Sequence, residues 1–163
     1  MTPKEFVQKF RKDAEECQMT TGIHFVATLA QAALETGWAK AVPGNMFFGI
    51  KAKATDTEKQ LITTREILKT RNAKFPEIIS ITDNKNGTWS YKVKDWFRKY
   101  KTPADSFKDH SRFFFKNPRY AKALEVRGDY NKWFDEIAKA GYATDPNYAK
   151  TLKAVAKTII KNL

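Results

Sequence analysis

The stretch "LAQAALETGWAKAVPGNMFFGIKA", residues 29–52, sets one carboxylate, Glu35, inside an alanine-rich apolar run. The run stops at Gly37, Trp38 and a short proline-glycine turn. Phe25, Leu29, Ala32 and Ala33 recur at helical spacing, which predicts a helix over about residues 23–36. Ala30 and Ala33 are small, so a second helix can approach closely. Gly37 suits the helix end. Glu35 then sits at the C-terminal end, where the helix dipole disfavours a negative charge. Leu34, Trp38 and Ala32 offer it little hydration. Both effects favour the protonated acid, the form that donates a proton to a leaving oxygen in glycoside hydrolysis.

Outward from this stretch the pattern is helices, a small sheet, then helices. Thr2, Pro3 and Glu5 form a capping-box start for a first helix, along which Phe6, Phe10, Ala14 and Cys17 recur. From about Lys59 to Arg98, "QLITTREIL", "EIISIT" and "WSYKVKDWF" are rich in β-branched and aromatic residues, and "DNKNG" is a strong turn signal. Two or three antiparallel strands are expected there. Thr102, Pro103 and Asp105 open a further helix. Asp129 caps another, and Asp145 with Pro146 starts the last. The expected architecture is one α+β domain over residues 1–163, with a mostly helical lobe, a small antiparallel β-lobe inserted at about 50–100, and a groove between the lobes.

A chain of 163 residues suits one domain. The formal net charge of +12, from 30 basic and 18 acidic residues, points to a polyanionic partner: nucleic acid, an anionic membrane or an anionic cell wall. "FRKYKTPADSFKDHSRFFFKNPRYAK" joins basic and aromatic residues, as single-strand nucleic-acid sites and sugar-polymer grooves both do. One cysteine excludes an internal disulfide, and Cys17 reads as buried filler. Two histidines, His24 and His110, give no metal-ligand pattern, so no metal or cofactor is expected. No run of 18 apolar residues predicts a membrane span, and the amphipathic start does not resemble a signal peptide. That suggests either a phage-type lysin accumulating in the cytoplasm or a domain excised from a secreted protein.

A second carboxylate is wanted for glycoside chemistry. Asp56, Glu58, Glu66, Glu77 and Asp83 are candidates. In "ITTREIL" strict alternation puts Thr64 and Glu66 on one strand face. Trp96 reads as core between the lobes, and Trp38 as a shield for Glu35.

"LAQAALETGW", "NMFFGIKA", "ITTRE", "FRKY", "NPRYAKAL" and "GYATDPNYAKTL" follow one another in order. Together they resemble glycoside hydrolase family 73, the bacterial peptidoglycan N-acetylglucosaminidases of the lysozyme-like superfamily. The resemblance implies that Glu35 is the general acid and Glu66 the second carboxylate. It implies that Tyr120 lies by the acid, where it could orient the substrate acetamido group, and that Tyr142 lies along the groove. Trp38, Asn45 and Phe48 complete the expected substrate-binding set. Two departures stand out: "AKAVPG" is shorter than the loop many relatives carry, and "NMFFGIKA" is one residue longer than the common "NLFGIKA". The implied activity is cleavage of the β-1,4 bond between N-acetylglucosamine and N-acetylmuramic acid in peptidoglycan glycan strands, by a monomer acting on the bacterial wall. A muramidase cutting the other glycosidic bond is the near alternative. A basic nucleic-acid-binding module is the alternative of another class, and it has no need of Glu35. The family reading expects no nucleic-acid partner.

Overall fold

The computed structural model describes residues 1–163 and divides into two compact units. Met1–Phe48 and Tyr100–Leu163 form a helical unit, and Gly49–Lys99 forms a β unit.

In the helical unit, α1 (Pro3–Thr21) starts at the expected capping box. Thr2 Oγ1 accepts from the Glu5 N–H at 3.2 Å, and Glu5 Oε2 accepts from the Thr2 N–H at 2.9 Å. Phe6, Val7, Phe10, Ala14 and Cys17 are buried along one stripe. Cys17 Sγ lies 3.0 Å from Ser111 Oγ and donates to the Phe107 carbonyl at 3.7 Å, so it is core filler with two polar neighbours. The helix ends at Gly22 with φ of 77°. That positive φ favours glycine, and a Cβ there would stand 2.8 Å from Arg127 Nε, so the arginine would have to shift.

The second helix, α2 (Phe25–Thr36), begins two residues later than the sequence predicts, because His24 is its cap. The imidazole Nδ1 accepts from the Val26 N–H at 3.1 Å, a local bond that apolar periodicity does not register. Nearly every face of α2 is buried, from Val26 through Ala33. It packs on α1 and on two later helices, α5 (Tyr130–Lys139) and α6 (Tyr148–Lys161). Between them come α3 (Pro103–Lys116), capped by Thr102, and a short α4 (Ala121–Glu125). Asp129 caps α5 through Oδ1, which accepts from the Lys132 N–H at 3.1 Å. The last helix also starts later than expected. Asp145 Oδ1 accepts from the Asn147 N–H at 2.8 Å, so Asp145 and Pro146 build a turn before α6.

The β unit holds β1 (Lys59–Leu68), β2 (Glu77–Asp83) and β3 (Trp89–Arg98), all antiparallel in the order β1-β3-β2. The "DNKNG" turn joins β2 to β3, with Lys85 and Gly87 at positive φ. Tyr91, Val93 and Phe97 of β3 are buried. The Tyr91 hydroxyl donates to the Thr70 carbonyl at 2.5 Å and ties the loop after β1 to the sheet. Trp96 corrects the expectation of a core residue. It lies on the other face of β3, pairs with Leu61 and is 39% exposed. Alternation from Val93 and Phe97 demands this, and Lys59 Nζ covers the ring at 5.1 Å.

No helix is long and apolar enough to cross a membrane.

Candidate active site

Glu35 is the penultimate residue of α2. It keeps solvent access, yet enough protein surrounds the carboxyl to weaken its hydration. A carboxyl can meet water on one side and be desolvated on the others. Burial pushes its pKa above the ordinary carboxylate range, and a hydrogen bond from Tyr148 opposes this in part. The Tyr148 hydroxyl donates to Glu35 Oε1 at 3.3 Å. No cation pairs with Glu35. The dipole at the end of α2 acts in the same direction as burial.

Behind Glu35 lies a set of stacked rings. Tyr148 stacks on Tyr142 at 5.5 Å between centroids, and Tyr142 stacks on Phe114 at 5.6 Å. The Tyr142 hydroxyl meets His110 Nε2 at 2.8 Å. His110 is buried, and burial lowers its pKa to about 3, so the imidazole is neutral near pH 7. Burial likewise raises the Tyr142 and Tyr148 pKa values, which keeps both phenols protonated.

The structure brings Tyr142 and Tyr120 into this cluster. The Tyr120 ring is 0% exposed and edge-on to Phe114 at 5.0 Å. Its ring also lies 6.4 Å from that of Tyr142, between centroids. Its hydroxyl has no hydrogen-bond partner in the protein. Phe48, expected to bind substrate, is also core: it is 3% exposed and lies flat on His110, 3.6 Å between centroids and 7° between planes. Asn45 has structural work. Its Nδ2 donates to the carbonyls of Tyr100 and Lys101, at 3.1 and 3.2 Å. Trp38 has φ of 61°, and its indole is edge-on to Phe6 at 5.4 Å.

In the β unit, Glu66 shares a strand face with Thr64 and, across the β1–β3 pairing, with Tyr91, Val93 and Asp95. Lys51 Nζ donates to Glu66 Oε1 at 2.5 Å and lies 3.1 Å from Asp95 Oδ2. Desolvation, the largest single effect on Lys51, lowers its pKa. The two carboxylates together outweigh it and hold the pKa above the usual lysine value. Three of the rival carboxylates have other partners. Asp56 accepts from the Lys53 N–H at 2.7 Å and pairs with Arg98 at 3.1 Å, Glu77 pairs with Lys94 at 3.5 Å, and Asp83 accepts from the Lys85 N–H at 2.8 Å. No group of three or more His, Cys, Asp or Glu side chains could hold a metal ion.

The glucosaminidase family, described as mannosyl-glycoprotein endo-beta-N-acetylglucosaminidase, matches residues 11–161. The chain belongs to this family. The family 73 resemblance and the lysozyme-like, α+β reading of the fold stand with it. Among glucosaminidase relatives, the chain is 34% identical to peptidoglycan hydrolase FlgJ of Vibrio parahaemolyticus, over 97% of this chain and 48% of that protein. The chain spans about half the length of the curated relatives it matches. In structure it is similar to the glycoside hydrolase domain of Salmonella typhimurium FlgJ, with a TM-score of 0.74, 28% identity, and coverage of 99% of this chain and 90% of that one. A peptidoglycan hydrolase mutant from Sphingomonas sp. A1 is similar as well, with a TM-score of 0.70, 28% identity, and coverage of 98% and 97%.

Three residues near Glu35 in this glucosaminidase-family chain escaped the sequence reading: Tyr148, Gln31 and His110. Gln31 carried a signal. It is a lone amide on the apolar face of α2, one helical turn before Glu35, and it is 1% exposed. Its Nε2 donates to the Tyr148 hydroxyl at 3.2 Å. Tyr148 fitted the apolar stripe of the last helix and passed as core.

Proposed function

We propose that this chain cleaves the β-1,4 bond between N-acetylglucosamine and N-acetylmuramic acid in peptidoglycan glycan strands, as an endo-β-N-acetylglucosaminidase. The observation that carries the reading is the setting of Glu35: a carboxyl without a cation, at a helix C-terminus, with its pKa raised chiefly by burial. Such a group holds its proton at a pH where an ordinary glutamate has lost it. In a glucosaminidase-family chain that is the property a general acid needs.

Glu35 donates its proton to the glycosidic oxygen as the bond lengthens. Positive charge then develops on the sugar, and ionised Glu66 stabilises it or activates a water. Tyr142 offers a half-buried ring to substrate, fixed by His110 and by Tyr148. Phe48 and Tyr120 hold that arrangement from the core. Trp38 and Asn45 shape the segment that follows α2. The protein works at the bacterial wall as a monomer, and its net +12 keeps it near an anionic polymer.

The test is digestion of purified peptidoglycan followed by mass analysis of reduced muropeptides. Reduced N-acetylglucosamine ends are expected. Reduced muramic-acid ends would instead identify a muramidase. Competition separates the glycan from nucleic acid. Excess DNA at about 0.15 M salt should displace little protein from peptidoglycan, and Tyr142→Ala should weaken glycan retention while leaving DNA binding alone. Tighter binding to DNA, lost equally in the mutant, would make the surface a nucleic-acid site.

A further inference from the structure

Gln31 and Glu35 stand one turn apart on α2, and both reach Tyr148 on α6. Gln31 is 1% and Tyr148 5% exposed, so water does not compete freely for their polar atoms. The Gln31 amide donates to the Tyr148 oxygen at 3.2 Å, and the Tyr148 O–H donates to Glu35 Oε1 at 3.3 Å. A phenol has one proton to give. The Gln31 N–H donates to the phenol oxygen and cannot accept that proton, so the proton is directed at Glu35.

We propose that Gln31 fixes Tyr148 as a one-way donor, and that Tyr148 thereby reserves Oε1 of Glu35 as an acceptor and leaves Oε2 to carry the proton that is transferred. Tyr148 is then a positioning residue, and Gln31 positions it in turn. This rests on the reading of Glu35 as the general acid. Burial alone would raise the carboxyl's pKa without choosing between its oxygens. The relay makes that choice, at the cost of a small opposing pull on the pKa. The titratable groups that bear on Glu35 are phenols: Tyr148 on α6 and Tyr142 in the loop before it, with Tyr120 behind both. Burial keeps Tyr142 and Tyr148 neutral, and no cation pairs with Glu35. The Tyr148 bond is therefore the influence whose removal should be visible.

The experiment follows the Glu35 carboxyl directly. Protein labelled with ¹³C at the glutamate carboxyl carbon is titrated by NMR, and the Glu35 resonance is assigned by its loss in Glu35→Gln. Tyr148→Phe keeps the ring and its stack on Tyr142. It should raise the Glu35 midpoint by roughly half to one pH unit. Peptidoglycan turnover should fall about tenfold with KM unchanged, and the alkaline limb of the pH profile should move up with the midpoint. Gln31→Leu frees the phenol to rotate and should raise the midpoint by less. The double variant Gln31→Leu/Tyr148→Phe leaves neither partner unsatisfied. It should match Tyr148→Phe even if that single variant folds poorly. An unchanged midpoint in all three overturns the proposal. So does a midpoint that falls, because the phenol would then be accepting from the protonated acid. If wild-type protein releases no muropeptides, the functional reading fails, and the carboxyl titration still decides the relay.

Discussion

The helical unit and the β unit each present a glutamate, and they treat it in opposite ways. Glu35 has no cation, a helix C-terminus beneath it and desolvation as the main influence on its pKa. Glu66 lies on an open strand with Lys51 at 2.5 Å. Charge follows the same division. Gly49–Lys99 carries twelve Lys and Arg against six Asp and Glu, so under a third of the chain holds half of the net +12. In one unit the carboxyl is partly desolvated and has no cation, and in the other it is paired with a lysine.

The largest expected effect breaks this comparison at its helical side. Glu35→Gln removes the transferable proton and should lower peptidoglycan turnover by roughly 100-fold or more. The same variant should be at least as heat-stable as wild type near pH 7. A carboxyl with a raised folded-state pKa contributes stability below its unfolded pKa and loses it as pH rises through the folded value. The glutamine has no such loss, so its advantage in a thermal melt should vanish near pH 4. Normal turnover in a folded Glu35→Gln protein would end the assignment.

Glu66→Gln tests the other side. Turnover should fall about 10- to 100-fold, while retention on insoluble glycan stays close to wild type. If this variant keeps full turnover, the second role passes to Asp56 or Glu58.

His110 sharpens the contrast through stability. Its pKa falls from an ordinary 6.5 to about 3 in the fold. The unfolded chain therefore binds a proton across that range and the folded chain does not. Stability should be full above about pH 6.5 and decline as pH falls towards about 3. His110→Gln should cost about 1–2 kcal/mol at pH 7, through the lost stack on Phe48 and a weakened bond to Tyr142. Denaturant melts across pH should show a shallower acid decline. An equally steep decline would place the cause in other groups.

The smallest effect belongs to Lys51. Half of its side chain is exposed, so screening leaves its two ion pairs worth under about 1 kcal/mol of stability. Lys51→Met should shift the denaturation midpoint little. Turnover should drop a few-fold and become less sensitive to salt.

These contrasts were unequally legible in the sequence. Capping residues act within three or four positions, so Thr2 with Glu5, Thr102 and Asp129 each marked a helix start. Alternation put Glu66 on the face it occupies. The same rule would have put Trp96 outside, beside its lysines, had aromatic character not outweighed it. Glu35 stood out by position and motif. What surrounds it did not, because Tyr148 is 113 residues away and Gln31 looked like an ordinary polar residue on a helix. The motifs did not show that Phe48 and Tyr120 are buried, because burial depends on the packing of distant segments.

Asn45 carries a further consequence. Its amide holds the carbonyls of Tyr100 and Lys101, and the Tyr100 N–H donates to the Gly44 carbonyl at 2.8 Å. For the helical unit, the 51 residues Gly49–Lys99 are thus a loop tied at its neck. The entropy of closing such a loop grows only with the logarithm of its length, about 0.6 kcal/mol per doubling. A lineage can lengthen, trim or exchange the insert without reworking the helices, provided the knot at Asn45 holds. On this view the asparagine guards the evolvability of the domain, and its replacement should narrow the range of inserts the scaffold tolerates.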